Sequence, residues 1–168
     1  IIADYINDGF IRAGWLAKKI KDLKLPGVKG ITYRVKPDYS IGAKVRLERL
    51  EWRKLPDFIG LSIIAPKSTF EYVPEALKNI RDLDSFSSSC FTYTLNCQFM
   101  DYPVEIALCD YKTFARHQFN ECVRNVLGIN SVYSLLVSYK PLEEAFDTLL
   151  DTADENGLDS LMENNKYV

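Results

Sequence analysis

The chain has 168 residues, 47% of them hydrophobic and 12% aromatic, with a formal net charge of −2. That is enough apolar material for one ordinary core, which argues against wholesale disorder. The lack of a basic excess argues against a protein whose main partner is bulk nucleic acid. Cys90, Cys97, Cys109 and Cys122 form no C-x-x-C pair, and His117 is the one histidine. A structural zinc site and a disulfide framework are therefore not expected, and reduced thiols in a cytoplasmic setting are. No apolar run reaches the length of a membrane span, and Ile1-Ile2-Ala3-Asp4 carries no signal-peptide pattern.

Residues 3–24 read as an amphipathic helix, with Ile6, Phe10, Ile11, Trp15, Leu16, Ile20 and Leu23 at helical spacing. Leu25-Pro26-Gly27 ends it. Gly30–Lys36 alternates as a strand, with Ile31, Tyr33 and Val35 on one face and Thr32, Arg34 and Lys36 on the other. After the turn Pro37-Asp38-Tyr39, Ser40 is a good N-cap for a helix over 41–53. Asp57 opens the apolar run Phe58–Ala65, which suits a central strand. A helix is expected over 69–83, with Pro74 near its start. Strands near 90–99 and 103–109 follow, joined at Asp101-Tyr102 as a hairpin. Helices are expected over 111–127, with Gly128 as its cap, and over 141–153; residues 131–139 are apolar and ambiguous, and the tail from Glu155 is polar.

This order predicts a single α/β (α+β) domain over 1–168, a mixed and mainly antiparallel central sheet flanked by helices. Its parts are an N-terminal helix 3–24, a core 30–127 and a C-terminal helical extension 131–168. The sequence leaves room for flanking domains and for a homo-oligomer.

Two sets of side chains suggest chemistry. Arg34 and Lys36 share a strand face, the helix beginning at Ser40 offers free N–H groups, and Lys44 lies one turn beyond Ser40. Together they could cradle a polyphosphate, and by spacing alone they equally fit a solvated basic face with an ordinary cap. Asp57 stands at the start of an apolar strand, and Glu105 sits inside Val104-Glu105-Ile106-Ala107-Leu108. An acid inside such a strand is costly without a partner or a metal. Two carboxylates over one sheet face could hold Mg²⁺ against phosphate oxygens; singly, each reads as an ordinary strand-end or edge acid.

The segment Tyr33–Lys44 resembles the R-x-K-x-x-x-S-x-x-x-K stretch of RelA/SpoT-type (p)ppGpp synthetases. Leu55–Ile64 resembles that family's L-x-D-x-x-G-x-R-I-I strand, and Pro103–Leu108 its V-E-I-Q-I-R strand. The resemblance runs over roughly residues 10–125 and is to the small-synthetase layout. It implies a nucleotidyltransferase-like fold. ATP would be the donor, its phosphates held by Arg34, Lys36 and Lys44 with Ser40 at the helix start. Asp57 would hold Mg²⁺, and Glu105 would join the metal or act as base on the acceptor hydroxyl. The implied reaction moves pyrophosphate from ATP to the 3′-hydroxyl of a guanine nucleotide. The departures are Ser62 for the family Arg, Ala107 and Cys109 for its Gln and Arg, and a stretch Phe86–Phe91 without its guanine-stacking Tyr or its His. They leave two alternatives open: transfer to another acceptor such as the tRNA 3′ end, or a degenerate domain that senses nucleotide or binds protein.

Overall fold

The computed structural model describes residues 2–36, 41–42, 51–88, 93–127, 141 and 144–151. They fall into two compact units, the first running to Cys109 and the second beginning at Asp110.

The first unit begins with helix α1 (Ile2–Asp22). Asp4 sits in its first turn and Lys19 and Lys21 in its last, which suits the helix dipole. Gly9, Ala13, Leu16, Ala17 and Ile20 form its buried stripe. Phe10, Ile11 and Trp15 are about half exposed, although their spacing had placed them on the core side. The small residues explain the difference. An added Cβ at Gly9 would stand 2.7 Å from Phe58 Cε1 and 3.4 Å from Val35 Cγ1, so it is the glycine–alanine face that packs close on the sheet.

Five strands follow: β1 (Gly30–Val35), β2 (Ile59–Ile64), β3 (Leu83–Ser88), β4 (Thr94–Phe99) and β5 (Tyr102–Cys109). Their order across the sheet is β1-β2-β5-β4-β3. Only β2 and β5 run parallel; the other three ladders are antiparallel, giving the mixed, mainly antiparallel sheet expected. Alternation decides the faces. Ile31, Val35, Ile59, Leu61, Leu95, Cys97, Val104 and Ile106 are buried on the α1 side. Thr32, Arg34, Ser62, Asn96, Gln98, Glu105 and Ala107 lie on the other face.

The region expected to be one helix over 69–83 is instead a short helix α2 (Val73–Leu77) and the edge strand β3. Pro74 stands at the start of α2, as its fixed φ favours. Asp82 then takes a positive φ of 69°, which turns the chain into β3. The helix expected over 111–127 is observed as α3 (Tyr111–Leu127), and that expected over 141–153 is described at 141 and 144–151. The expected helix over 41–53 is described only at 41–42 and by a 3-10 turn, Trp52–Lys54. Gly128, residues 131–139 and the tail lie outside the described residues.

The β4–β5 turn is Met100-Asp101, one residue earlier than expected, with φ of 50° and 68°. Both being positive marks the hairpin turn whose twist matches its strands. Asp tolerates this conformation; Met gains nothing from it. Met100→Asn should therefore stabilise the fold by about 0.5 kcal/mol, read as a shift in the urea midpoint at unchanged slope.

An aromatic group closes this end of the core. Tyr5 stacks on Tyr102 at 4.6 Å between centroids, and Phe58 packs on both. Arg12 lies over the Tyr102 ring at 4.9 Å. Burial pushes the Tyr5 phenol up from 10.0 to about 12, with the neighbouring Tyr102 adding to it, and pushes the Cys97 thiol up from 9.0 to about 12. Both groups are neutral when protonated, so the folded chain holds protons that the unfolded chain releases above pH 9–10. The contribution of these two groups to stability should be level below pH 9 and fall as pH rises from 9 through 12, which urea melts from pH 8 to 12 would check.

In the second unit, Asp110 Oδ1 accepts from Thr113 N–H at 2.8 Å and caps the start of α3. Arg116 pairs with Asp147, holding that carboxyl below its ordinary value, and Phe119 stacks on Phe146 at 4.1 Å. His117 is exposed on α3.

Candidate functional site

The polar sheet face carries the candidate residues, and strand register places them. Arg34 on β1 is opposite Gly60 on β2, Gly60 is opposite Glu105 on β5, and Glu105 is opposite Asn96 on β4. Directly opposed residues point to the same face. Arg34, Glu105 and Asn96 therefore form one row across three ladders, with glycine between the cation and the acid.

That glycine matters because of what lies over it. A Cβ at Gly60 would come within 2.9 Å of both Cζ and Nε of Arg34. The Arg34 side chain thus lies over Gly60. Glu105 itself is half-buried, with Gly60 and Asn96 on either side in the sheet. The next row along consists of Thr32, Ser62, Ala107 and Thr94, all small side chains.

Lys36 and Asp57 meet at the end of β1 and the approach to β2. The backbone N–H of Lys36 donates to the Phe58 carbonyl at 2.9 Å, which continues the β1–β2 ladder past its last pair. Lys36 Nζ then lies 3.0 Å from Asp57 Oδ2, with the two side chains 13% and 14% exposed. The second oxygen of Asp57, Oδ1, is shielded from solvent. Neither motif alone foretold this pairing, because the sequence assigned the two residues to phosphate and to metal separately.

Asp57 and Glu105 are not in contact by register. Asp57 precedes the strand position opposite Pro103, so strand rise and spacing put the two Cα atoms roughly 10 Å apart. Among the described residues no three metal-binding side chains gather in one place. A protein cage for a metal is therefore not what this face offers. One or two carboxylates that share a cation with phosphate oxygens is the usual arrangement for Mg²⁺, and the donor set here fits that pattern. Ser40 and Lys44 lie outside the described residues.

A cleft of about 380 Å³ adjoins this face at the β4–β5 hairpin end. Arg53, Lys54 and Pro56 form one side, and Ser87, Asn96 and Gln98 the sheet side. Sequence reasoning missed it. Asn96 and Gln98 look like the ordinary polar positions of an alternating strand, and only the fold brings Arg53 and Lys54 to them.

Solved structures share this fold, and several of them are synthetases. Small alarmone synthetase 1 from Bacillus subtilis bound to its product pppGpp superposes with a TM-score of 0.68 at 17% identity, over 89% of this chain and 93% of that one. The same synthetase bound to AMPCPP gives 0.67 at 16%, over 96% of each chain. A GTP pyrophosphokinase family protein from Streptococcus pneumoniae gives 0.68 at 14%, over 96% of this chain and 91% of that one. No protein-family model matches the sequence, and no curated protein sequence does. The chain thus has the fold of the small alarmone synthetases.

Proposed function

We propose that this domain is a pyrophosphotransferase that moves the terminal pyrophosphoryl group of ATP to the 3′-hydroxyl of a guanine nucleotide. The observation that carries the reading is the row Arg34–Gly60–Glu105 beside the Lys36–Asp57 pair. It puts two cations, one strand-end acid and one mid-strand acid on neighbouring positions of one sheet end. Structural neighbours solved with AMPCPP and with pppGpp support a nucleotide donor and a guanine-nucleotide product.

In this reading Lys36 and Arg34 take the donor phosphates, joined by Ser40 and Lys44. Asp57 would hold Mg²⁺, which when bound would supply neutralising charge at the phosphate oxygens. The Lys36–Asp57 pair is then an exchangeable one. Asp57 would turn to the cation and Lys36 to the phosphate of a metal–nucleotide complex, so neither charge would be left bare on binding. Glu105 accepts the proton of the acceptor 3′-hydroxyl as its oxygen attacks the β-phosphorus. The bond from that phosphorus to the α-phosphate oxygen breaks, and AMP leaves. Such catalysis is mainly positioning and charge neutralisation, which suits a site of fixed strand residues.

Gly60 gives a separate handle. Gly60→Ala should move the Arg34 guanidinium, which is the flexible end of an exposed side chain, at a stability cost within about 0.5 kcal/mol. ATP affinity should nevertheless fall about tenfold, read by calorimetric titration.

The defining experiment supplies ATP labelled in its terminal phosphates, Mg²⁺, and GDP, GTP or tRNA. Label on the guanine nucleotide is the expected result. Label on tRNA would move the acceptor to RNA. No transfer, with ATP binding that Lys36→Ala abolishes, would make the domain a nucleotide sensor.

A further inference from the structure

The polar sheet face has a second row beside the one that carries the charges. Its meaning rests on the reading above, in which the donor phosphates lie at Lys36 and Arg34. Thr32, Ser62, Ala107 and Thr94 cross the same four strands about 7 Å further along them. All four side chains are half-buried and small, so the row forms a shelf, roughly 14 Å wide by strand spacing. The strand N–H and C=O groups beneath it are engaged in the ladders. The shelf itself offers three hydroxyls and methyl groups, with no charge, no amide and no ring.

Phosphoryl chemistry relates this shelf to the donor. The attacking and leaving oxygens stand in line across the transferred phosphorus, so the leaving nucleoside monophosphate points away from the acceptor. Its ribose and base carry no charge, and the shelf is the uncharged ground adjoining the two cations. Small side chains let a flat base lie close to the sheet. Hydroxyls, however, do not read a base edge. A serine or threonine O–H turns about its C–O bond, so it meets the amino group of adenine and the carbonyl of guanine alike. Strong rejection needs a polar group of fixed sense that the wrong base leaves unpaired, and none of the four side chains supplies one.

We propose that the donor site is indifferent to the nucleobase, so that GTP serves as donor as well as ATP and the domain turns over GTP alone. In that reaction the 3′-hydroxyl oxygen of one GTP bonds to the β-phosphorus of a second, and Glu105 takes the hydroxyl proton. The bond from that phosphorus to the α-phosphate oxygen breaks, the oxygen keeps the electron pair, and the second nucleotide leaves as GMP. The product is GTP bearing a 3′-diphosphate. The donor is selected by its triphosphate at Lys36 and Arg34, and not by its base.

Donor competition tests this. ATP and GTP are supplied together at equal, limiting concentration with Mg²⁺ and excess GDP, and AMP and GMP are measured as the leaving groups. Their ratio gives the ratio of kcat/KM, which should lie within about fivefold of one. GTP supplied alone should give GMP and the 3′-diphosphate in equal amounts. Ala107→Leu covers part of the shelf, and should raise KM for both donors by the same factor. Thr32→Leu, on the edge strand β1, serves in its place if Ala107→Leu lowers the urea midpoint. A larger preference for either nucleotide, with transfer from ATP intact, overturns the proposal and leaves the transfer from ATP standing. So does a covered shelf that leaves KM unchanged or alters it for one donor only. If ATP transfers nothing, the pyrophosphotransferase reading fails. Displacement of a bound non-hydrolysable ATP analogue by its GTP counterpart then decides: matched affinities support indifference, and unequal affinities, or no binding by either, overturn it.

Discussion

Glu105→Gln is expected to lower pyrophosphoryl transfer about 10³-fold while leaving affinity for an ATP analogue within about twofold. Glutamine keeps the size and hydrogen-bonding reach of the side chain, so the half-buried position between Gly60 and Asn96 is filled as before. What disappears is the negative charge and the ability to take a proton. Single-turnover transfer, measured beside analogue binding on the same preparation, separates the two roles. A loss confined to the chemical step fits a base. A parallel loss of Mg²⁺-dependent nucleotide binding would make Glu105 a metal ligand first, and unchanged transfer would remove it from the site.

The same residue shows what a sequence can and cannot convey. That Glu105 is an odd charge in an apolar alternation is legible locally, because period-two patterning fixes which residues share its face. The helix over 111–127 is legible as well, and the structure has it at Tyr111–Leu127. Strand β3 is not. Leu83-Asp84-Ser85-Phe86-Ser87-Ser88 has little strand preference of its own, and it is held by pairing with β4 through an irregular register between Asp84 and Ser87. Nor could spacing tell that α1 packs through Gly9 and Ala13, because a hydrophobic count favours Ile11 and Trp15 over the residues small enough to approach the sheet. The candidate site divides in the same way. Its residues were named from motifs, but the row Arg34–Gly60–Glu105 depends on β2 pairing β1 on one edge and β5 on the other, a contact between segments some seventy positions apart at the extremes. The cleft residues carry no motif at all, since their meaning comes only from where β4 stands.

The Lys36–Asp57 pair gives the largest expected effect on both stability and binding. The pair is mostly shielded, so removing Lys36 takes a cation away from a carboxylate in a poorly solvated place. Lys36→Met should destabilise the fold by about 3 kcal/mol, a cost set by the lost ion pair and not by lost packing, since Met fills most of the lysine stem's volume. Adding Asp57→Asn removes the carboxylate's charge, and the double variant should regain part of that loss, with a coupling of about 1–3 kcal/mol in a double-mutant cycle of urea melts. Nucleotide binding should behave differently. Both single variants and the double variant should bind Mg²⁺–ATP at least tenfold more weakly than the wild type, because the pair's two charges are the partners that metal and phosphate would take over. Thermal melts make the contrast visible in one measurement. Nucleotide at 100 times the wild-type dissociation constant should stabilise the wild-type chain by about 2.7 kcal/mol and the double variant by no more than about 1.4 kcal/mol, although the double variant is the better folded of the altered chains. If the double variant recovered nucleotide binding along with stability, Lys36 and Asp57 would be a structural ion pair only, and the phosphate cradle would have to be sought elsewhere on the sheet.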